Sequence, residues 1–179
     1  PESLELFRLL RLMRDEGCGH AVIEASSHAL AQGRVSACNF VGAVFTNLTQ
    51  DHLDYHGTLE EYGRSKARLF AMLQAGDASS YGVINADDKA AAIFAEACAA
   101  PLWTYGMEEG STLRLLHYSA SISGMKFTLT YEGEVYTISM PLIGKFNIYN
   151  ALAASAVALA EGLSLPDIAA WLAQAPQVA

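Results

Sequence analysis

Between Asn47 and Lys66 the chain places two histidines, His52 and His56, two aspartates, Asp51 and Asp54, and a lysine in one short stretch. Imidazoles and carboxylates at this density are the groups that hold divalent cations and carry protons. Gly42 to Phe45, a short apolar run suited to a buried strand, precedes them, and Thr58 with Glu61 forms a capping box that starts a helix. The polar residues from Asn47 to His56 are therefore predicted to lie in the loop beyond the carboxyl end of a strand, where open parallel α/β sheets bind their ligands.

Two further residues break an apolar pattern. Leu59, Tyr62, Lys66, Leu69 and Leu73 recur at spacings of three and four, so Lys66 interrupts what should be the core face of the helix. Either its stem lies along the core and its ammonium snorkels to water, or its nitrogen sits inside a polar site where lysines do chemistry. His20 to Ala25 is predicted to be a short apolar strand ending at Glu24, whose carboxylate is either a structural ion-pair partner or a metal ligand. Ser26-Ser27-His28-Ala29-Leu30-Ala31-Gln32-Gly33-Arg34 follows, dense in hydrogen-bonding groups. His28 there reads as an imidazole satisfied by backbone groups at a helix start.

Elements to position these groups are legible along the chain. Ser3 to Glu16 reads as a helix that stops at Gly17. Tyr81 to Asn85 reads as a strand, Asp87-Asp88 as the cap of a helix to about Ala99, and Leu102 to Tyr105 as another strand. Strands alternating with helices indicate βαβ units and a parallel sheet. From Leu113 to Met140 three period-2 stretches with turns at Ser123-Gly124 and Glu132-Gly133 read as a small antiparallel meander appended to it, a peripheral sheet outside the site. Gly144 to Asn150 leads into an Ala-rich helix to Leu159, and a last short helix follows Pro166. The fold class is α/β.

Composition bounds the function. The 179 residues, 52% hydrophobic and 17% charged, suit one folded domain, and no apolar run approaches the roughly 20 residues of a membrane helix. No secretory leader is evident, so a cytoplasmic chain without membrane partners is expected. The net charge of −8 argues against nucleic acid as a partner. An acidic chain can still bind an anionic nucleotide through local donors and a divalent cation. Cys18, Cys38 and Cys98 are widely spaced with no Cys-x-x-Cys pair, and are expected to be reduced, buried thiols. The ends, Pro1-Glu2-Ser3 and Gln177-Val178-Ala179, are expected to be cuts from something longer.

Five strings, in order and covering nearly all of the chain, carry a family resemblance: Glu24-Ala25-Ser26-Ser27-His28-Ala29-Leu30, Phe45 to Gly57, the Tyr62-to-Phe70 helix with Lys66, Ile84-Asn85-Ala86-Asp87-Asp88, and Gly144 to Ala154. Together they resemble the central, ATP-binding domain of the Mur ligases, and among these the branch that adds the third peptide residue. The resemblance implies a P-loop-type sheet and an ATP-dependent amide ligase of peptidoglycan precursor synthesis. Such an enzyme joins meso-diaminopimelate or L-lysine to UDP-MurNAc-L-Ala-D-Glu through an acyl phosphate, with ATP and Mg²⁺, as a monomer. It further implies Glu24 and His52 as magnesium ligands, and Lys66 carbamylated so that the amine becomes a coordinating carboxylate. Lys66 and His52 are the implied catalytic pair. Asn150 would read the adenine edge with Asn147 beside it, and Ser26, Gln32 and Arg34 would contact the UDP-sugar dipeptide, Arg34 as a planar fork.

The departures matter too. No Gly-x-x-Gly-Lys-[Ser/Thr] phosphate loop is present in these residues, and the family's amino-acid-selecting C-terminal domain is not among them. Residues 1–179 are thus expected to be one domain that keeps the metal and adenine ends of the site, inactive alone. Rival readings are a metal-holding binding module without turnover, another ligase of the superfamily such as a folylpolyglutamate synthase or cyanophycin synthetase, and a hydrolase built on His52 and His56. The last lacks the helical Glu-x-x-His that such zinc sites use.

Overall fold

Tyr81–Asn85 (β2) is buried at every position, as a strand is when both faces of its sheet are covered and both edges are paired. The structure, a computed structural model, describes residues 2–49, 58–74 and 79–176. β1 (Gly42–Phe45) and β3 (Leu102–Gly106) flank β2 in parallel, with Val83 opposite Val44 on one side and Trp103 on the other. β3 pairs in parallel with the start of β4 (Leu113–Ser121), Tyr105 opposite Leu113. The sheet then turns antiparallel through β5 (Gly124–Tyr131) and β6 (Glu134–Met140), giving one six-stranded sheet in the order β1 to β6. The meander therefore continues the edge of the parallel sheet rather than forming a sheet of its own. Glu132 (φ 53°) and Gly133 (φ 83°) make the two-residue β5–β6 turn, both left-handed, as a hairpin that matches strand twist requires.

Helices cover both faces. Along β2, Tyr81 and Val83 join a cluster with Tyr105, Leu113, Phe127 and Leu152, where α5 (Lys145–Ala160) and α6 (Leu165–Leu172) pack. Ile84 turns the other way, into a cluster with Phe45, Phe70 and Phe94. There α3 (Leu59–Ala71) and α4 (Ala91–Ala97) pack, and the Phe94 ring stacks on Phe45 at 3.8 Å between centroids. α1 (Ser3–Asp15) and α2 (Ser27–Ala31) meet over a small third cluster of Leu6, Leu30 and Val35.

Four expectations change. His20 to Ala25 is not a strand of the sheet. Ile23 and Ala25 turn toward the third cluster while Val22 and Glu24 face solvent, so the alternation of a strand is present without a neighbouring strand, among the described residues, to supply a ladder. Asp87 and Asp88 do not cap a helix to Ala99. α4 begins after Ala90, which makes no side-chain cap, and ends at Ala97 because Cys98 is extended. None of the thiols is fully buried: Cys18 is exposed and Cys38 and Cys98 are intermediate, though partial burial pushes both of the latter up from the usual thiol value. On α3, Leu59 is exposed and the buried face runs through Tyr62, Gly63, Ser65, Ala67 and Phe70 instead.

Candidate functional site

The carboxyl ends of β1, β2 and β3 are tied together by side chains from the β2 exit and from β3. The Asn85 amide donates to the Thr46 carbonyl at 2.7 Å, and the Tyr105 hydroxyl donates to the Phe45 carbonyl at 3.3 Å. Asp88 accepts the Leu48 amide at 3.1 Å with one oxygen and the Ala90 amide at 2.8 Å with the other. Asp87 accepts the backbone amides of Met107 and Glu108, at 2.8 and 2.9 Å for the shortest pairs, and the Tyr149 hydroxyl at 2.7 Å. Burial, reinforced by this carboxylate, holds the Tyr149 phenol well above its ordinary range. Asp87 commits its oxygens to these distant donors and Asp88 divides its own between Leu48 and Ala90, the residue before α4, so neither caps the first turn of α4. Their number at one strand exit is the sequence signal: two adjacent carboxylates and an asparagine are more acceptors than one helix start can use.

On the helix side, Thr58 caps α3, its hydroxyl accepting the Glu61 amide and donating to the Glu61 carboxylate, both at 3.1 Å. The cap sets the rotation of the helix, which puts Lys66 partly buried with its ammonium 5.3 Å from the centre of the Tyr62 ring. No carboxylate pairs with Lys66 among the described residues. One residue earlier, the Ser65 hydroxyl donates to the Ser27 carbonyl at 3.3 Å, so the lysine helix is joined directly to the Ser26–Ser27 turn. Ser26 caps α2 by accepting the Ala29 amide at 3.2 Å. The Ser27 hydroxyl is fully buried without a partner among the described residues. Gln32 follows α2 at its C-cap and is exposed, and Arg34 pairs with Glu2 at 3.0 Å.

The remaining expected site residues fall as follows. Asn147, in the first turn of α5, commits its amide to the Ile143 carbonyl at 2.9 Å, while Asn150 is exposed with no polar side-chain contact among the described residues. Glu24 is exposed and makes no ion pair among the described residues. His52 lies outside the described residues, as do Asp51, Asp54 and His56. The structure thus joins the helix of Lys66 to the Ser26–Ser27 turn through Ser65, and joins the helix of Asn147 and Asn150 to Asp87 through Tyr149. Among the described residues no three His, Cys, Asp or Glu side chains form a group able to hold a metal ion. Of the expected donors, Glu24 offers a free hard oxygen of the kind Mg²⁺ takes, whereas the Lys66 amine is a donor for Mg²⁺ only if it becomes a carboxylate. A groove between α3 and α4, lined by Glu60, Arg64, Arg68, Ile93 and Glu96, holds none of these residues. No helix among the described residues is long and apolar enough to cross a membrane.

Residues 1–158 match the family model described as the Mur ligase middle domain. The chain is 46% identical over 183 residues to UDP-N-acetylmuramoyl-L-alanyl-D-glutamate–2,6-diaminopimelate ligase of Geobacillus kaustophilus, a match covering 99% of this chain and 37% of that protein. It is 44% identical over 179 residues to the ligase of the same name from Halalkalibacterium halodurans, covering 100% of this chain and 37% of the relative. A solved structure of a UDP-N-acetylmuramoyl-L-alanyl-D-glutamate–2,6-diaminopimelate ligase superposes with a TM-score of 0.90 at 31% identity, over 100% of this chain and 37% of that one. The chain therefore spans 37% of the length of these relatives.

Proposed function

Because the chain belongs to the Mur ligase family, we propose that it is the middle domain of an ATP-dependent ligase of peptidoglycan precursor synthesis. The reaction joins meso-diaminopimelate to the D-glutamyl carboxylate of UDP-MurNAc-L-Ala-D-Glu through an acyl phosphate. The match along the full chain to relatives named as 2,6-diaminopimelate ligases carries this reading. We assign the phosphate loop and the groups that select the amino acid to parts of the ligase other than residues 1–179. The enzyme is read as a cytoplasmic monomer.

Within this domain, Ser26, Gln32 and Arg34 bind the UDP-sugar dipeptide and Asn150 reads adenine, with Asn147 shaping the start of its helix. Arg34, always charged and forked, suits a carboxylate or phosphate once Glu2 gives way. Glu24, His52 and a carbamylated Lys66 would hold magnesium, which when bound stabilises the negative charge that develops on phosphate and carboxylate oxygens. Carbamylation gives Lys66 a negative head suited to a cation and removes an ammonium that would repel one. The Ser65–Ser27 bond joins the helix of Lys66 to the dipeptide-binding turn.

The test is turnover by the full-length protein with UDP-MurNAc-L-Ala-D-Glu, ATP and magnesium. Mass spectrometry of the product and phosphate release are followed with meso-diaminopimelate and L-lysine as competing amines. Incorporation of diaminopimelate is expected. Exclusive use of lysine, or turnover with a folate and glutamate instead, would overturn the assignment.

A further inference from the structure

We infer that Asp87 is a positioning residue for nucleotide recognition: through Tyr149 it sets the rotation of the helix that carries Asn150. This rests on the reading of Asn150 as the adenine contact. The Asp87 carboxylate accepts the Met107 amide on both oxygens, at 3.0 and 2.8 Å, the Glu108 amide at 2.9 Å and the Tyr149 hydroxyl at 2.7 Å. A carboxylate held by three donor groups has no rotamer freedom left, and bonds to an ionised acceptor are the strong class. The backbone makes room for it. Gly106 adopts φ +145°, and a Cβ there would stand 2.7 Å from the carboxylate atoms.

The base of this arrangement is equally fixed. Asn85, two residues earlier, accepts the Asp87 amide at 3.1 Å and bonds to Thr46 across to β1. Tyr149 immediately precedes Asn150, and one residue of α-helix is a rotation of about 100°. Tethering the Tyr149 hydroxyl therefore fixes the direction in which the Asn150 amide projects. Leu152 and Ile148, fully buried on the same helix, hold its distance from the sheet, and the Tyr149 bond adds a restraint on its rotation at the turn that carries Asn150.

The experiment uses the full-length ligase and steady-state kinetics with ATP and GTP. Asn150→Ala tests the underlying reading alone: if its KM for ATP is unchanged, Asn150 does not read adenine and the inference falls with that reading. If Asn150→Ala does raise the KM, Tyr149→Phe, which deletes only the tethering hydroxyl, is expected to raise KM for ATP about tenfold with kcat changed less than about twofold. It should also narrow the preference for ATP over GTP, and it should add little in the Tyr149→Phe/Asn150→Ala double variant because both act through one contact. An unchanged KM in Tyr149→Phe, a loss confined to kcat, or fully additive losses in the double variant would overturn the positioning role. Asp87→Ala should reproduce the KM effect; should that variant fail to fold, Tyr149→Phe decides by itself.

Discussion

The Ser65 hydroxyl donates to the Ser27 carbonyl oxygen at 3.3 Å, and both residues are buried. The bond locks the helix of Lys66 to the turn of Ser26, while the Ser27 hydroxyl beside it has no partner among the described residues. The two serines should therefore respond oppositely to truncation. Ser65→Ala is expected to lower stability by about 1 kcal/mol, and Ser27→Ala to leave it unchanged or raise it by up to about 1 kcal/mol, because a buried unsatisfied hydroxyl carries a desolvation cost. Urea midpoints at constant slope measure both, and a clear loss in Ser27→Ala would mean that its hydroxyl is bonded in the folded protein.

Lys66→Ala should abolish ligation by the full-length enzyme, a fall well beyond the about 10- to 100-fold loss typical of residues that only support a metal ligand. Its folding should be nearly intact, since Lys66 is only partly buried and its ammonium lies 5.3 Å from the centre of the Tyr62 ring with no carboxylate partner among the described residues. Short carboxylic acids at high concentration should restore part of the activity by standing in for the carbamate. Wild-type turnover of Lys66→Ala at saturating magnesium would refute the assignment, as would an unmodified amine by bicarbonate-labelled NMR of the liganded enzyme.

Phe94 stacks on Phe45 at 3.8 Å and meets Phe70 edge-on at 5.4 Å, filling the space between α4 and the sheet. Phe94→Ala leaves a cavity that backbone on both sides keeps open, so the expected loss is about 3–5 kcal/mol. It would be seen as an earlier denaturation midpoint, and a change under about 1 kcal/mol would mean that the layers collapse onto one another freely.

Tyr81, Tyr105 and Tyr149 each hold the phenol above its ordinary value of 10.0, burial being the largest cause, with Glu161 adding to it at Tyr81 and Asp87 at Tyr149. The folded state then keeps protons that the unfolded state releases, so stability is fully present below pH 10.0 and falls as pH rises beyond it. Thermal midpoints should decline above about pH 10. Tyr81→Phe, which removes the 2.7 Å bond to Glu161, should make that decline shallower, and an identical decline in the variant would contradict the account.

Much of the architecture is written locally. Thr58 and Glu61 mark the start of α3, the apolar run Tyr81–Asn85 marks a strand covered on both faces, and Glu132-Gly133 marks the β5–β6 turn. Each signal acts within a few residues, through a cap, a period or a left-handed turn, and the local order of residues supplies it. The tertiary structure decided what local rules leave open. Whether His20 to Ala25 becomes a strand depends on a partner strand, and whether Asp87 caps α4 or reaches Tyr149, sixty-two positions away, depends on which donors the fold brings within hydrogen-bond distance. A carboxylate satisfies whichever donors surround it, and at a strand exit those donors come from segments far apart in the chain. The same holds for Lys66: its spacing placed it on the core face of a helix, but only the packing of α2 against α3 joined that helix, through Ser65, to the turn of Ser26 and Ser27.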